Sequence, residues 1–362
     1  MAIAGATLLH RGIPDEITIW EIVVRLPTKA LLRCRTVCRA WRHATSTRDF
    51  LLAHHAHQPS LPLIYGEDGN SVLIMPFNHR AGPRRAVDDA LFQASRDGLL
   101  VICVHGKHFS IRNPATRQYT NLSLLHGFKL LGMYQHSPTG EYRLLLYLSV
   151  AVKWMYSALP EVQEGSYVFT IGSGQPPRHI GCPDAEELIC IPGSVLFHGG
   201  LHWYTNHVIK IFDTTAESFR QMRSPFVRGH ARLFEVDSML GMSTFNAEAT
   251  HVYIWVVQEQ DYKDEVWALK YRVELPVSEI RVQFGMFEIK YCRVRAESCE
   301  RDVLVLLEFD DWLLQVDING KLVAGFHRRG LIRTQVRLKQ TLVLHTFFTT
   351  LEDYVVNTLP SV

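Results

Sequence analysis

Ile111-Arg112-Asn113-Pro114-Ala115-Thr116-Arg117-Gln118-Tyr119 is the stretch from which the architecture is read. Ile111 and Arg112 end an extended run, Asn113 opens a turn, Pro114 presets the next φ, and Tyr119 belongs to a new extended run. The pattern recurs as Ile211-Phe212-Asp213-Thr214-Thr215-Ala216-Glu217-Ser218-Phe219 and as Gln315-Val316-Asp317-Ile318-Asn319-Gly320-Lys321-Leu322-Val323. The opening Asn or Asp stands at 113, 213 and 317, so the separations are 213 − 113 = 100 and 317 − 213 = 104 residues. Each copy follows a strand pair, in 98–105, 195–204 and 302–314. Two units of about fifty residues fill each interval, the length of a kelch-like blade.

The sequence around these turns supports that reading. From about Leu61 the chain is a succession of short strands and turn residues, among them Leu99 to Val104, Arg143 to Leu148, Tyr167 to Ile171, Val252 to Val257 and Val303 to Leu307. Long helical periodicity is absent. The pattern predicts a mainly β domain over residues 58–362, with about six blades in a β-propeller. One blade cannot bury both of its faces, and a ring of blades covers them all. A pair of β-sandwiches is the competing architecture, and the repeat argues against it. Thr341 to Phe348 is apolar enough to be the strand that closes the ring.

The first fifty residues differ. Pro14-Asp15-Glu16 starts a helix, with acids where the dipole favours them. Ile17, Trp20, Val23 and Val24 recur at helical spacing, and Leu26-Pro27 stops the helix. Thr28 is the expected N-cap of a second helix carrying Leu31, Leu32 and Cys34. Val37, Cys38 and Trp41 form a third apolar stripe, and Asp49 to His57 adds another turn or two. The result is a three-helix unit, too small to bury much core alone. Residues 1–12 read as a tail.

Composition narrows the function. The chain has 362 residues, 47% hydrophobic and 20% charged, with a net charge of +2. That is an ordinary globular composition, and it argues against a protein that coats nucleic acid over its surface. No apolar run is long enough to span a bilayer, and 1–10 lack the features of a secretory signal. The seven cysteines are scattered without zinc-finger spacing, which fits cytosol or nucleus. His54, His55 and His57 are read as a solvated helix end, with no metal site.

Three segments carry a family resemblance: Ile13-Pro14-Asp15-Glu16-Ile17, then Leu26-Pro27-Thr28-Lys29-Ala30-Leu31-Leu32-Arg33-Cys34-Arg35, then Val37-Cys38-Arg39-Ala40-Trp41-Arg42. Residues 13–57 resemble an F-box, with Ile13 in place of leucine. The resemblance implies docking on a Skp-type adaptor, and through it a cullin, in an SCF-type ubiquitin ligase, with Ile13, Pro14, Ile17, Leu26, Pro27, Leu31, Leu32, Val37, Cys38 and Trp41 as the adaptor-binding residues. The residues themselves agree, because so apolar a small unit needs a partner to cover it. Between Ile22 and Arg48 there are seven Lys or Arg and no acid, which suits an acidic partner.

The remainder resembles the F-box-associated domains of plant F-box proteins, through Ser95-Arg96-Asp97-Gly98-Leu99-Leu100, the 111–117 turn, Gly200-Leu201-His202-Trp203 and Val252-Tyr253-Ile254-Trp255-Val256-Val257. Asp97 replaces the usual asparagine, and either residue takes the turn conformation before glycine. These motifs are strand cores and turns, so Trp203, Trp255, Trp267 and Trp312 are expected to pack between blades.

No P-loop, GxSxG or HExxH occurs, and no catalytic residue or cofactor is expected. Asp88-Asp89, Glu186-Glu187 and Asp310-Asp311 are neighbours that a strand would point to opposite faces. His198 and His202, near Tyr204, read as a turn. The expected function is that of a non-catalytic substrate receptor whose propeller binds a target protein, with no nucleic-acid or membrane partner. The rivals are a propeller that binds a carbohydrate or small ligand, its F-box coupling that ligand to degradation, and a cryptic enzyme. Trp154 and Tyr156, in the long connection between Leu148 and Tyr167, either continue a strand and pack between blades or stand at the rim as anchors for the target.

Overall fold

The computed structural model describes residues 14–65, 72–74, 84–85, 90–104, 108–149, 163–181, 183–191, 193–205, 207–225, 231–236, 239–246, 250–258, 262–285, 293–299, 302–309, 312–327 and 332–348. Ile13, Asp88-Asp89, Trp154, Tyr156 and Asp310-Asp311 lie outside the described residues.

The N-terminal region is helical. α1 (Asp15–Ile17) follows Pro14, carries Asp15 and Glu16 in its first turn, and continues as a π turn over Thr18–Ile22 and a 3-10 turn over Val23–Arg25. It ends at Leu26, whose ψ of 149° is the extended conformation that a following proline imposes. α2 (Thr28–Cys34) takes Pro27 as its cap residue. Thr28, expected to cap that helix, is its first residue, and its hydroxyl points inward to Gln58 Oε1 at 3.5 Å. α3 (Arg39–Ala44) is capped by Cys38, whose Sγ accepts from the Trp41 amide at 3.4 Å. α4 (Arg48–His57) is capped by the Thr47 hydroxyl. The expected three-helix unit therefore has a fourth helix, and Phe50 and Leu51 on α4 complete a core with Ile19, Val23, Val24 and Leu31.

Among the described residues the strands fall into six four-stranded antiparallel sheets. The chain begins one with β1 (Ser60–Tyr65), β2 (Val72–Ile74) and β3 (Arg84–Arg85). The next holds β4 (Ala90–Arg96), β5 (Leu99–Val104), β6 (His108–Asn113) and β7 (Gln118–Asn121). It is followed by β8 (Lys129–Gln135), β9 (Tyr142–Leu148), β10 (Gly165–Thr170) and β11 (Arg178–Gly181), then by β12 (Val195–Phe197), β13 (Gly200–Thr205), β14 (Val208–Asp213) and β15 (Ser218–Arg223). The last two complete sheets are β16 (Arg232–Val236), β17 (Met239–Phe245), β18 (His251–Val257) and β19 (Ala268–Glu274), and β20 (Arg293–Cys299), β21 (Asp302–Phe309), β22 (Trp312–Val316) and β23 (Leu322–His327). The helix α5 (Val277–Phe284) lies between them in sequence, and no helical reading of the sequence anticipated it.

The sheets are not all built alike. Five sheets are each built from four consecutive strands. The sixth is composite, because β24 (Ile332–Lys339) pairs antiparallel with β1, Ser60 opposite Lys339 and Tyr65 opposite Ile332. The expected closing strand, Thr341 to Phe348, is not a strand. β24 takes the edge of β1 in its stead.

The recurring turn joins the third and fourth strands of every second consecutive sheet. Asn113 Oδ1 accepts from the amides of Ala115 and Thr116 at 3.0 and 3.3 Å. Asp213 Oδ1 accepts from Thr215 and Ala216 at 2.8 Å each, and Asp317 Oδ1 from Asn319 and Lys321 at 2.9 Å each. These local side-chain bonds replace a strand ladder where the chain reverses.

The apolar cores lie between neighbouring sheets. β9 shows why its sequence is a continuous apolar run: Leu144, Leu146 and Leu148 enter the core shared with β5 and β6, while Leu145 and Tyr147 enter the core shared with β13 and β14. Alternation sends successive side chains to opposite faces, and both faces are covered. Trp203 is fully buried in the second of these cores, and Trp255, Trp267 and Trp312 are half-buried against others, so all four tryptophans pack as expected. Glu217, in the second copy of the turn, reaches across to the preceding sheet. It accepts from Tyr134 Oη and Arg143 Nη1 at 2.7 Å and pairs with Arg178.

Residues 340–348 strap the helical unit to the sheets. Lys339 Nζ donates to the Ala56 carbonyl at 2.8 Å, and His55 Nδ1 donates to the Gln340 carbonyl at 2.9 Å. Leu342 and Val343 are buried in the helical core, while Phe347 and Phe348 pack against the core between β5 and β9. The Asp97-Gly98 turn lies under the strap. Gly98 has φ of 83°, and a Cβ there would meet Thr341 Cγ2 at 2.5 Å, so both backbone and contact demand glycine. Replacing Leu342 and Val343 together by alanine should destabilise the helical unit by about 3 kcal/mol or more. Calorimetry should then resolve an early transition for that unit, and a single unshifted transition would contradict the strap's role.

Candidate functional site

The helical unit fills its own core and leaves a second set of apolar residues outside. Ile17, Trp20, Ile22, Leu32 and Val37 are between 42% and 66% exposed, well beyond what a packed interior position shows. Ile17 and Trp20 sit three residues apart on the first helical segment. Leu32 is on α2, and Val37 lies in the link to α3. Pro14, Pro27 and Cys38 are exposed beside them in sequence, and Leu26 and Trp41 are half-buried. Leu31 is fully buried, so of the residues that the resemblance placed at a contact it serves the core. Trp20 and Ile22 were missed as surface positions. Trp20 reads in one stripe with Ile17, Val23 and Val24, and nothing in the sequence singles out Ile22; only packing separates inward from outward members.

The Leu26-Pro27 corner is held from behind. His54 Nε2 lies 2.9 Å from the Leu26 carbonyl, and Gln58 Nε2 donates to the same oxygen at 3.0 Å. Gln58 Nε2 also lies 3.1 Å from His54 Nε2, so the three groups form one polar cluster behind the corner. His54 is fully buried, and burial lowers its pKa. Of the three histidines read as a solvated helix end, only His57 is exposed; the other two are structural. Trp41 Nε1 donates to Asp15 Oδ1 at 3.3 Å and ties α3 to α1.

The basic run is divided in the same way. Arg35 turns inward, donating to the Thr45 carbonyl at 2.6 Å and the Thr45 hydroxyl at 3.3 Å. Arg25 pairs with Glu21 at 3.0 Å. Lys29, Arg33, Arg39, Arg42 and Arg48 are exposed, so the cationic character of the surface survives with fewer charges than the sequence holds.

The other candidates are structural. Glu186 and Glu187 lie on a 3-10 segment, Pro183–Cys190, not on a strand. Glu186 accepts from Ser149, and Glu187 pairs with Lys210 and accepts from Thr205. His198 is in the β12–β13 turn with φ of 45°, as read, but His202 is a buried strand residue. Its Nδ1 donates toward the carbonyls of Gly200 and Val195 at 2.9 and 3.1 Å, and its Nε2 accepts from Tyr262 Oη at 2.6 Å. Arg220 donates to that same phenol at 2.8 Å.

This chain holds His202 neutral. Burial is the main cause, and it lowers the pKa from the ordinary 6.5 to about 4. The unfolded chain takes up a proton first as pH falls, so the contribution is present above about pH 6.5 and is lost between there and about pH 4. The loss should approach about 3 kcal/mol. Urea unfolding of the native chain and His202→Gln, measured at several pH values across this window, should show a steeper decline for the native chain. Parallel declines would contradict the assignment.

The geometry can be set beside known proteins. Residues 11–56 match the F-box-like family, and residues 84–292, more than half of the chain, match the F-box associated beta propeller domain. F-box protein At5g18160 of Arabidopsis thaliana is 25% identical over 268 residues, covering 68% of this chain and 67% of that protein. F-box only protein 12 of the same plant is 26% identical over 58% of this chain, which spans half of that protein's length. The putative F-box/kelch-repeat protein At1g13200, also from Arabidopsis thaliana, is 21% identical over 74% of this chain and 73% of its own. With the helical unit matched by one family model and more than half of the chain by the other, the chain belongs to the family of F-box proteins that carry an F-box associated β-propeller domain.

Proposed function

We propose that this chain is the substrate-receptor subunit of an SCF-type cullin ubiquitin ligase. The observation that carries this reading is the outward apolar set of Ile17, Trp20, Ile22, Leu32 and Val37 on a helical unit whose own core is already full. Such a set in a folded chain awaits a partner surface. A Skp-type adaptor would cover it, seated against Pro14, Pro27 and Cys38. The outward cations Lys29, Arg33, Arg39, Arg42 and Arg48 suit an acidic partner and would steer its approach. Leu26 and Trp41 would act partly through shape, by fixing the corner and the helix packing.

The six sheets would close as one six-bladed ring, with the β1–β24 pair as its seam, and present loops to a target protein. The chain would do no chemistry. It would raise the effective concentration of a target lysine near a ubiquitin carrier held elsewhere in the complex. Cys34, Cys38 and Cys103 are free thiols, in keeping with work in the cytosol or nucleus.

The test separates surface from core. Leu32→Asp and Val37→Asp should each weaken binding to a purified Skp-type adaptor by about 2 kcal/mol, roughly thirtyfold, with melting unchanged. Leu31→Asp should instead unfold the helical unit. Undiminished adaptor affinity in the Leu32→Asp, Val37→Asp double variant would overturn the reading.

A further inference from the structure

One cavity is used by none of the above. It has a volume of about 780 Å³ and is lined by residues of all six sheets, from β4, β8, β12, β16, β20 and β24 and also from β1, β13 and β17. His55 and Ala56, at the end of α4, also border it. The volume falls within the range of roughly 300–1,000 Å³ typical of small-molecule sites. Its fixed charges are unequal. Arg96, Arg232, Arg337 and Lys339 line it against Asp97 and Glu235. Arg96 lies 3.2 Å from Asp97, and Asp97 also accepts from Tyr142 Oη at 3.1 Å. The lining therefore carries four cations against two carboxylates, a net positive field.

A second, independent feature points into the same space. Ser243 lines the cavity, is only 4% exposed, and its hydroxyl has no hydrogen-bond partner among the described residues. A buried hydroxyl left unmet is costly, and such groups call for a ligand or a structural reason. Ser243 stands directly opposite Arg232 in the β16–β17 ladder, so the two side chains share one face of the sheet. A guanidinium and a hydroxyl donor side by side match the oxygens of a carboxylate or phosphate.

We propose that this cavity binds a small organic or inorganic anion bearing carboxylate or phosphate groups. Arg232 and Ser243 are the recognition pair, and Arg337 and Lys339 supply the field. A folded acidic protein cannot reach a side chain as enclosed as Ser243, which favours a small molecule over a macromolecule. The site belongs to the sheets and does not depend on adaptor binding.

The test is calorimetric titration of the full-length chain at constant ionic strength. Citrate and pyrophosphate are the two probes, so that carboxylate and phosphate sources are told apart. Sucrose is the neutral control, and a glutamate octapeptide is a fourth arm. Saturable binding of citrate or pyrophosphate is expected, weakened at least tenfold in Arg232→Gln and at least threefold in Ser243→Ala. It should be unchanged in Arg281→Gln, on the exposed face of α5. If Arg232→Gln does not fold, Ser243→Ala decides, since it removes one oxygen and no packing atom. The proposal is overturned by no saturable binding of either probe, by unaltered affinity in Ser243→Ala, by equal binding of sucrose, or by binding of the octapeptide alone.

Discussion

The pairing of β1 with β24 is the constraint from which the rest of the arrangement follows. It joins strands from opposite ends of the described chain in a single antiparallel ladder, with Leu61 opposite Leu338 and Pro62 opposite Arg337. Closing so long a loop costs chain entropy, though that cost grows only slowly with length. In return, the sheet begun by β1–β3 gains its fourth strand, and the edge of β1 is no longer open. The ladder also places Gln340 beside α4. From there the chain runs along the seam between the helices and the sheets, where Leu342 and Val343 complete one core and Phe347 and Phe348 complete another.

That geometry gives the helical unit a fixed seat. A region of this size has little interior, and here part of the interior is supplied by residues far along the chain. Two consequences follow for the adaptor-binding reading. The exposed apolar residues are presented by a unit whose helices are already locked by His54, Gln58, Arg35 and the strap. A partner would then meet a preformed surface, with less ordering entropy lost on binding. The strap also bonds the helices to the sheets, so whatever the sheets hold would be carried close to whatever the helices bind, as action by proximity requires.

Buried polar groups do much of the positioning between sheets. Glu217 ties its turn to Tyr134, Arg143 and Arg178 of the preceding sheet, and those partners hold its carboxyl below the usual range against the upward push of burial. His202 links the Gly200 carbonyl to Tyr262 and through it to Arg220, which fixes its tautomer. Ser243 is among the few buried hydroxyls without such a partner, and it stands opposite Arg232 on the wall of a cavity.

Elements that rest on local bonding were legible in the sequence. The Asx turns at 113, 213 and 317 satisfy their own backbone within a few residues, so their hundred-residue spacing is visible without the fold. Leu26-Pro27 stops a helix through the proline's own sterics, and the unbroken apolar run of β9 announces a strand covered on both faces. What depended on distant partners was not legible. Residues 332–339 and 341–348 both carry apolar side chains, and only the register with β1 makes the first a strand and the second a strap. Trp20 and Val23 share a helical stripe, yet Val23 is buried in the core while Trp20 meets Phe50 only edge-on and stays exposed. The histidines near 55 look like a solvated end because their acceptors, the carbonyls of Leu26 and Gln340, lie 28 and 285 residues away. Side-chain identity and short-range sterics determined the turns, the strand runs and the helix stops. Which apolar residues face inward, which strand closes the last sheet and which charges share a cavity were decided by long-range packing, because each depends on which surface arrives to cover it.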